Sequence, residues 1–527
     1  MHKILMNTKL KTIINLILCS CSFCSAQITF QKTIGGINSE MGYVIQQTND
    51  GGYISGGTTQ SIGAGSVDLY LISTDNNGDT VFTKTYGGTG IDNFGNCMQT
   101  ADGGFVIFGS AKSFDGSTNH IYLVKTNSNG DTLWTKIYGN PDILACYYGK
   151  QTNDHGYIMV GQSDNGTDIR LYALKTDSNG IKIWDKSYGG FAGQSALSVC
   201  ETNSNGFIIA GYTNSFGSGQ EDIYLIKTNI YGDTLWTKTI GGTGAERCQN
   251  IQPTIDGNFI LVGNTTSYSA GNYDVFLLKI DTNASVIWSK TYGGIETDFG
   301  QSVEQTHDGG YILTGSVGMG GNNIDALLIK TNPVGDTLWT KTYGGTVSDQ
   351  GNSVRTTADN GYVVCGWTNS FGSGAYDFFI FKTDSNGNSG CNQSHTVINI
   401  NSPVLQSVSA PTIILSTVNN FISTPTIVKT GGSVNLLCLF NELDKPINDQ
   451  DIFSFYPNPV VDQLTVFSEK ESAYSIQISD LLGREIYSSP TIQNDNIINL
   501  KYFASGIYLL HFRNGANNLV KKIVIKH

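Results

Sequence analysis

Two acidic positions recur along this 527-residue chain at an even pitch. Glu40, Asp92, Glu246, Asp298 and Asp349 form one set; Asp68, Asp222, Asp274, Asp325 and Asp377 form the other. His120 and Arg170 interrupt the second set, and Leu144 and Gln194 interrupt the first. Carboxylates gathered on one face could bind a cation or a basic or polar ligand. The candidate ligand-binding residues are therefore Glu40, Asp92, Glu246, Asp298 and Asp349, with His120 and Arg170 where the pattern breaks. The competing reading is structural, since an Asp beside a Gly/Ser loop accepts backbone N–H bonds. Crowded carboxylates make a shared Ca²⁺ conceivable, but no D-x-D-x-D-G loop is present, and the expectation is no metal and no cofactor.

A catalytic constellation is harder to find. His120, His155, His307, His395, His511 and His527 fall in separate loops and segments, and neither G-x-S-x-G nor H-E-x-x-H occurs. Carboxylates such as Asp298 and Asp349 leave a polysaccharide hydrolase or lyase as the enzymatic alternative. There is no C-x-x-C, which argues against zinc and redox chemistry. Cys97, Cys146, Cys200, Cys248 and Cys365 fall on predicted strands as small buried apolar residues, whereas Cys391 and Cys438 flank one segment and are the disulfide candidates. Asp142–Tyr148 and Asn165–Arg170 are irregular, so a specialised sector is expected near the second to fourth repeats.

The elements that position these residues are themselves repeated. Trp-Thr-Lys-Thr-Tyr-Gly-Gly or a variant recurs, with its first Gly at 35, 87, 139, 189, 241, 293 and 344. Each unit carries four β-branched and aromatic runs separated by Asp-Gly or Asn-Gly turns and one longer Gly/Ser loop. Four short antiparallel strands in about 52 residues make one propeller blade. Repeats start near 36, 88, 140, 190, 242, 294 and 345, and the last lacks its Trp strand. Thr29–Gly35 is such a strand standing alone, so the fold expected for 27–390 is a seven-bladed β-propeller closed by its N-terminal strand, with 28–34 as the outer strand of the last blade; an open solenoid is the alternative. Phe30, Phe82, Trp134, Trp184, Trp236, Trp288 and Trp339 occupy one position and should pack between blades. Gly57, Gly109, Gly161, Gly211, Gly263, Gly315 and Gly366 end the second strand and should mark bulges or close backbone approach.

Composition supports this and narrows function. Charged residues are 14%, Gly is 63, Tyr 26 and Phe 24, which describes aromatic-rich β structure and not disorder. A formal charge of −12 disfavours nucleic acid. Lys3, Lys9 and Lys11 precede an apolar run that ends at Cys24-Ser-Ala26, so 1–26 reads as a secretory signal; Leu18-Cys-Ser-Cys21 also makes a passable lipoprotein site. No later run is long enough to cross a membrane as a helix.

After the repeats, 391–451 reads as an extended β linker or small β module. Residues 452–527 contain Phe455-Tyr-Pro-Asn-Pro459, Leu464-Thr-Val466, Ile478-Ser-Asp-Leu-Leu-Gly483, Ser505-Gly-Ile-Tyr-Leu509 and Lys521-Lys-Ile-Val-Ile-Lys-His527. In content and order these resemble the C-terminal sorting domain of proteins exported by the type IX secretion system of Bacteroidetes-type bacteria. The resemblance implies an Ig-like β-sandwich read by an outer-membrane translocon, with Gly506, Lys521 and Lys522 as recognition elements. It also implies release or attachment at the outer-membrane surface after export to the periplasm. The sequence thus points to a secreted or cell-surface binding protein for a glycan or protein ligand.

Overall fold

The structure is a computed structural model. It describes residues 27–441, apart from 115–117, 140–141, 204–205, 322, 397, 412–414, 417–419, 423–426, 430 and 432. In the tail it describes 453–456, 462–468, 474–480, 484–492, 496–514 and 517–526. The expected signal at 1–26 lies outside the described residues. Every regular element among the described residues is a strand. The chain divides into two compact units, Ile28–Leu439 and a tail unit from Phe440 onward.

Each repeat folds on itself. Glu40–Gln47, Tyr53–Thr59, Asp68–Thr74 and Thr80–Gly87 pair in sequence order, all antiparallel, as sheet one. Sheets two to six repeat this pattern, and sheet seven consists of Asp349–Thr356, Tyr362–Thr368 and Asp377–Thr383. Its fourth strand is Ile28–Gly35, with Phe30 opposite Lys382 and Ile34 opposite Phe378. The first strand of each sheet lies against that of the next, and Glu40–Gln47 touches both Asp92–Gln99 and Asp349–Thr356, so the series closes. Sequence logic drives the closure: a three-stranded last repeat would leave an open edge that the orphan strand fits.

The glycines that end each second strand do two things at once. Gly57 pairs with Gly42, and the register then slips by one residue, a bulge repeated opposite Gly109, Gly161, Gly211, Gly263, Gly315 and Gly366. A Cβ on Gly57 would strike the carbonyl of Met41, and the other six meet the same kind of obstacle. The recurring Trp-Thr-Lys-Thr-Tyr phrase faces the next sheet. Trp288 packs on Tyr311 with ring centres 5.8 Å apart, Tyr292 donates to Gly335 O at 2.6 Å, and Lys290 pairs with Asp336 at 2.9 Å. Phe30 on Tyr53 and Lys32 with Asp79 repeat the pattern across the closing junction. The turn before each fourth strand is locked from within, as where Asn127 Oδ1 accepts from Asn129 N and Asp131 N.

The stretch read as a linker does something the sequence did not disclose. Gln393–His395 pairs with the fourth strand of sheet six, Asn399–Asn401 with that of sheet five and Val408–Ser409 with that of sheet four. Leu415–Ser416, Asn420–Ile422 and Ile427–Lys429 follow on sheets three, two and one, and Ser433–Asn441 adds to Ile28–Gly35 in sheet seven. Each of these seven sheets therefore has five strands. The expectation that Ile28–Gly35 would be an outer strand is corrected: it lies fourth of five, with Ser433–Asn441 outside it.

In the tail unit, Phe453–Tyr456, Gln463–Ser468 and Asn496–Asn499 form one sheet, and Glu485–Ile492, Tyr474–Asp480, Gly506–Asn514 and Asn517–Ile525 form another. Both contribute to one apolar core containing Leu464, Val466, Ile476, Ile478, Ile498, Leu510 and Ile523.

Candidate functional site

The repeated acids come together in pairs across sheet junctions. Each second-set Asp meets the first-set acid of the following sheet at the Gly that ends the intervening fourth strand. A Cβ on Gly87 would collide with Asp68 Oδ1 and Asp92 Oδ2 together. Gly35 does the same for Asp377 and Glu40, Gly241 for Asp222 and Glu246, Gly293 for Asp274 and Asp298, and Gly344 for Asp325 and Asp349. The two remaining junctions carry His120 with Leu144 and Arg170 with Gln194. Where the strand-three acid is replaced, its partner is replaced too, so the two positions behave as one unit.

The five first-set acids are buried, between 0% and 1% exposed, which fits the structural reading of these positions better than the ligand-binding one. Burial of a carboxylate is tolerated here because donors surround it. Glu40 accepts from Gly36 N at 2.7 Å, Thr59 Oγ1 at 2.8 Å and Ser61 N at 3.1 Å; Glu246 repeats the set with Gly242, Thr265 and Ser267. Asp92, Asp298 and Asp349 likewise accept the amides of Gly88, Gly294 and Gly345. Gln194 Oε1 takes the same amide, Gly190 N, at 2.9 Å without a charge. Loop capping is the role this geometry supplies.

The second-set acids are less well served. Asp68 Oδ2 accepts from Gly65 N at 3.0 Å, but the Oδ1 atoms of Asp68, Asp274 and Asp325 are enclosed with no donor among the described residues. Burial, with the neighbouring carboxylate adding to it, pushes Asp68 and Asp325 up to about 6. Burial also raises Asp298 to about 6, against the amides of Gly294 and Gly318. Asp222, Asp274 and Asp377 move in the same direction for the same first cause. A carboxyl with an enclosed, unserved oxygen beside a carboxylate is suited to hold a proton, not to attack a substrate. Among the described residues no three His, Cys, Asp or Glu side chains gather as a metal site.

His120 and Arg170 occupy the interrupted junctions. His120 Nε2 lies 3.2 Å from Thr118 Oγ1. Arg170, 7% exposed, pairs with Asp168 at 3.2 Å and lies 5.4 Å from the ring centre of the exposed Phe191.

Strand alternation turns the neighbours of the buried acids the other way. Tyr273 precedes Asp274, Phe299 follows Asp298, and the two rings lie 5.4 Å apart. With Thr266, Gly271, Asn272 and Thr297 they line an open cavity of about 510 Å³ between sheets five and six. Nearby, Arg247 pairs with Glu221 and lies 4.7 Å from the ring centre of Tyr212. Flat aromatic surface framed by amide and hydroxyl groups fits the apolar faces and hydroxyls of a sugar. Sequence reasoning missed this cleft because it followed the recurring acids. The available signal was the variation one residue away, where Tyr273 replaces Val67, Asn119 or Ile169 of other repeats and Phe299 replaces Asn93 or Ala145.

In the tail, Gly506 opens a strand opposite Ile525, and Lys521 and Lys522 stand opposite Leu510 and Leu509. No helix among the described residues is long and apolar enough to cross a membrane.

Three comparisons bear on identity. No curated protein matches the chain. Similar solved structures include PorZ, an essential bacterial surface component of the type IX secretion system of Porphyromonas gingivalis, at 9% identity and TM-score 0.34, covering 94% of this chain and 75% of that one. Sqt1 from Chaetomium thermophilum is similar at 11% identity and TM-score 0.38 over 62% of this chain and 80% of that one. A fungal alcohol oxidase of the AA5 family, in complex with copper, is similar at 8% identity and TM-score 0.31 over 94% and 98%. Such values carry no functional argument. The decisive match is to the family model described as a secretion system C-terminal sorting domain, over residues 454–526. The tail of this chain is therefore a type IX secretion sorting domain, and it marks the protein as secreted or displayed at the cell surface.

Proposed function

We propose that Ile28–Leu439 is a seven-bladed β-propeller that binds a glycan at the cell surface, exported by way of an Ig-like tail domain. The ring of first strands and the pairing of Ile28–Gly35 with Asp377–Thr383 support the propeller. The observation that carries ligand binding is the Tyr273–Phe299 cleft with Asn272, Thr266 and Thr297 around it. A protein ligand on the same face is the second form of this reading, favoured by the exposed Ile37, Phe191 and Ile295 on the loops that join sheets. A hydrolase using Asp298 and Asp349 has less support, since both are capped and buried.

The test is a glycan array probed with the secreted protein, followed by titration of any hit. Tyr273→Ala and Phe299→Ala should each weaken binding about tenfold while Asp349→Asn leaves the Kd unchanged. Binding unaffected by both aromatic substitutions, or turnover of the glycan abolished by Asp349→Asn, would favour the rival. Gly506, Lys521 and Lys522 are the proposed translocon contacts; Lys521→Ala with Lys522→Ala should reduce surface display in cell fractionation.

A further inference from the structure

The fifth strands follow one rule. In five of the seven sheets the residue after the fourth-strand aromatic donates to a carbonyl of the encircling segment. Gln31 of sheet seven donates to Cys391 O, Thr340 of sheet six to Thr396 O, Ser289 of sheet five to Pro403 O and Thr237 of sheet four to Ala410 O. Thr83 of sheet one donates to Gly431 O, 21 residues and three sheets beyond Ala410. From Thr396 onward the segment therefore advances seven residues per sheet. Seven extended residues reach roughly 23 Å.

The two ends of this segment meet at one sheet. Cys391 lies beside Gln31 on the closing strand Ile28–Gly35, and Cys438 belongs to Ser433–Asn441, the strand added to that same closing strand. Cys391 is in a disulfide, whereas Cys97, Cys146, Cys200, Cys248 and Cys365 are free and buried in the inner sheets. The Cys438 side chain lies outside the described residues; the only other cysteines, Cys19, Cys21 and Cys24, precede the expected mature start.

We propose that Cys391 and Cys438 are joined, so that residues 391–438 form a covalently closed hoop around all seven sheets. Its formation takes two thiols to one disulfide; the two electrons and two protons pass to the disulfide of an exchange partner, which leaves as two thiols. Such chemistry belongs to an oxidising compartment, as the sorting tail requires. The hoop holds sheets one and seven together from outside, where the ring is otherwise closed only by pairing of an N-terminal strand. Each fifth strand alone is two to nine residues long, and single short strands fray; covalent closure means that none can leave without unzipping its neighbours.

Non-reducing proteolysis and mass spectrometry of the secreted protein should yield one linked peptide pair containing Cys391 and Cys438. Recovery of either cysteine alkylated without prior reduction, or linked elsewhere, overturns the proposal. Hydrogen exchange before and after mild reduction supplies the second readout. Amides of 393–441 should lose protection at least tenfold while Tyr53–Thr59 and its equivalents keep theirs, and Tm should fall by about 5 °C. Unchanged protection after verified reduction overturns the role assigned to the hoop. The Cys391→Ser, Cys438→Ser pair should reproduce the reduced protein, and if that variant does not accumulate, reduction of the folded wild type decides the matter alone.

Discussion

At the scale of residues, the five acid pairs set a pH dependence whose direction follows from their burial. Asp68, Asp298 and Asp325 titrate near 6 when folded, above the usual carboxyl value. Their folded form holds protons that the unfolded chain has already released, so their contribution is full below about pH 4 and is lost as pH rises through about 6. Asp92 faces Asp68, with Lys429 also acting on it; Asp274 and Glu296 face Asp298; Asp349 faces Asp325. Opposing them, Asp102 and Asp308 are held at about 2: slight burial works the other way, but hydrogen bonds from Lys125 and Thr100, and from Lys330 and Thr306, outweigh it. Their contribution is present above about pH 4 and lost below it. The melting temperature should therefore peak near pH 4 to 5 and decline towards pH 7. Combined Asp68→Asn, Asp298→Asn and Asp325→Asn should flatten that decline in scanning calorimetry; an unchanged slope would show that the pairs hold no proton.

At the scale of elements, the fourth strand is the part of each sheet that speaks to its neighbour. Its terminal Gly leaves space for two carboxyls, so Gly87→Ala should cost about 1–3 kcal/mol by overpacking, measured by denaturant unfolding. The aromatic at its centre gives apolar contact to the next sheet. Trp288→Ala should cost about 2–3 kcal/mol, less than for a fully buried Trp because one edge faces solvent. The repeat made the aromatic's role legible, since a residue that recurs at one position must meet the same surroundings each time; the role of the glycine emerged only with the acids paired beside it. The repeat concealed the cleft, because Tyr273 and Phe299 stand at positions that vary from repeat to repeat and a reading that seeks recurrence passes over them.

At the scale of the whole molecule, closure depends on both termini of the first unit. Deleting residues 27–35 should leave Asp377–Thr383 and Ser433–Asn441 without their shared partner; the protein should aggregate or melt at least 10 °C lower, read by light scattering and circular dichroism. Deleting 452–527 should instead leave Ile28–Leu439 folded and retain it inside the cell envelope, which fractionation and far-UV circular dichroism would separate.

The amino-acid sequence by itself determined the repeat, the register of its turns, the orphan strand and the sorting tail, because strand period, turn chemistry and a compact terminal motif are local properties. Tertiary structure alone decided that the acids pair across junctions and point inward. It alone turned a featureless Ser/Thr-rich stretch into a belt, since each short run of 393–441 takes its hydrogen bonds from a different sheet, from 50 residues away along the chain for Gln393 and Tyr343 to 344 for Lys429 and Thr85. A backbone that satisfies its donors and acceptors only against distant partners leaves no periodic signature of its own.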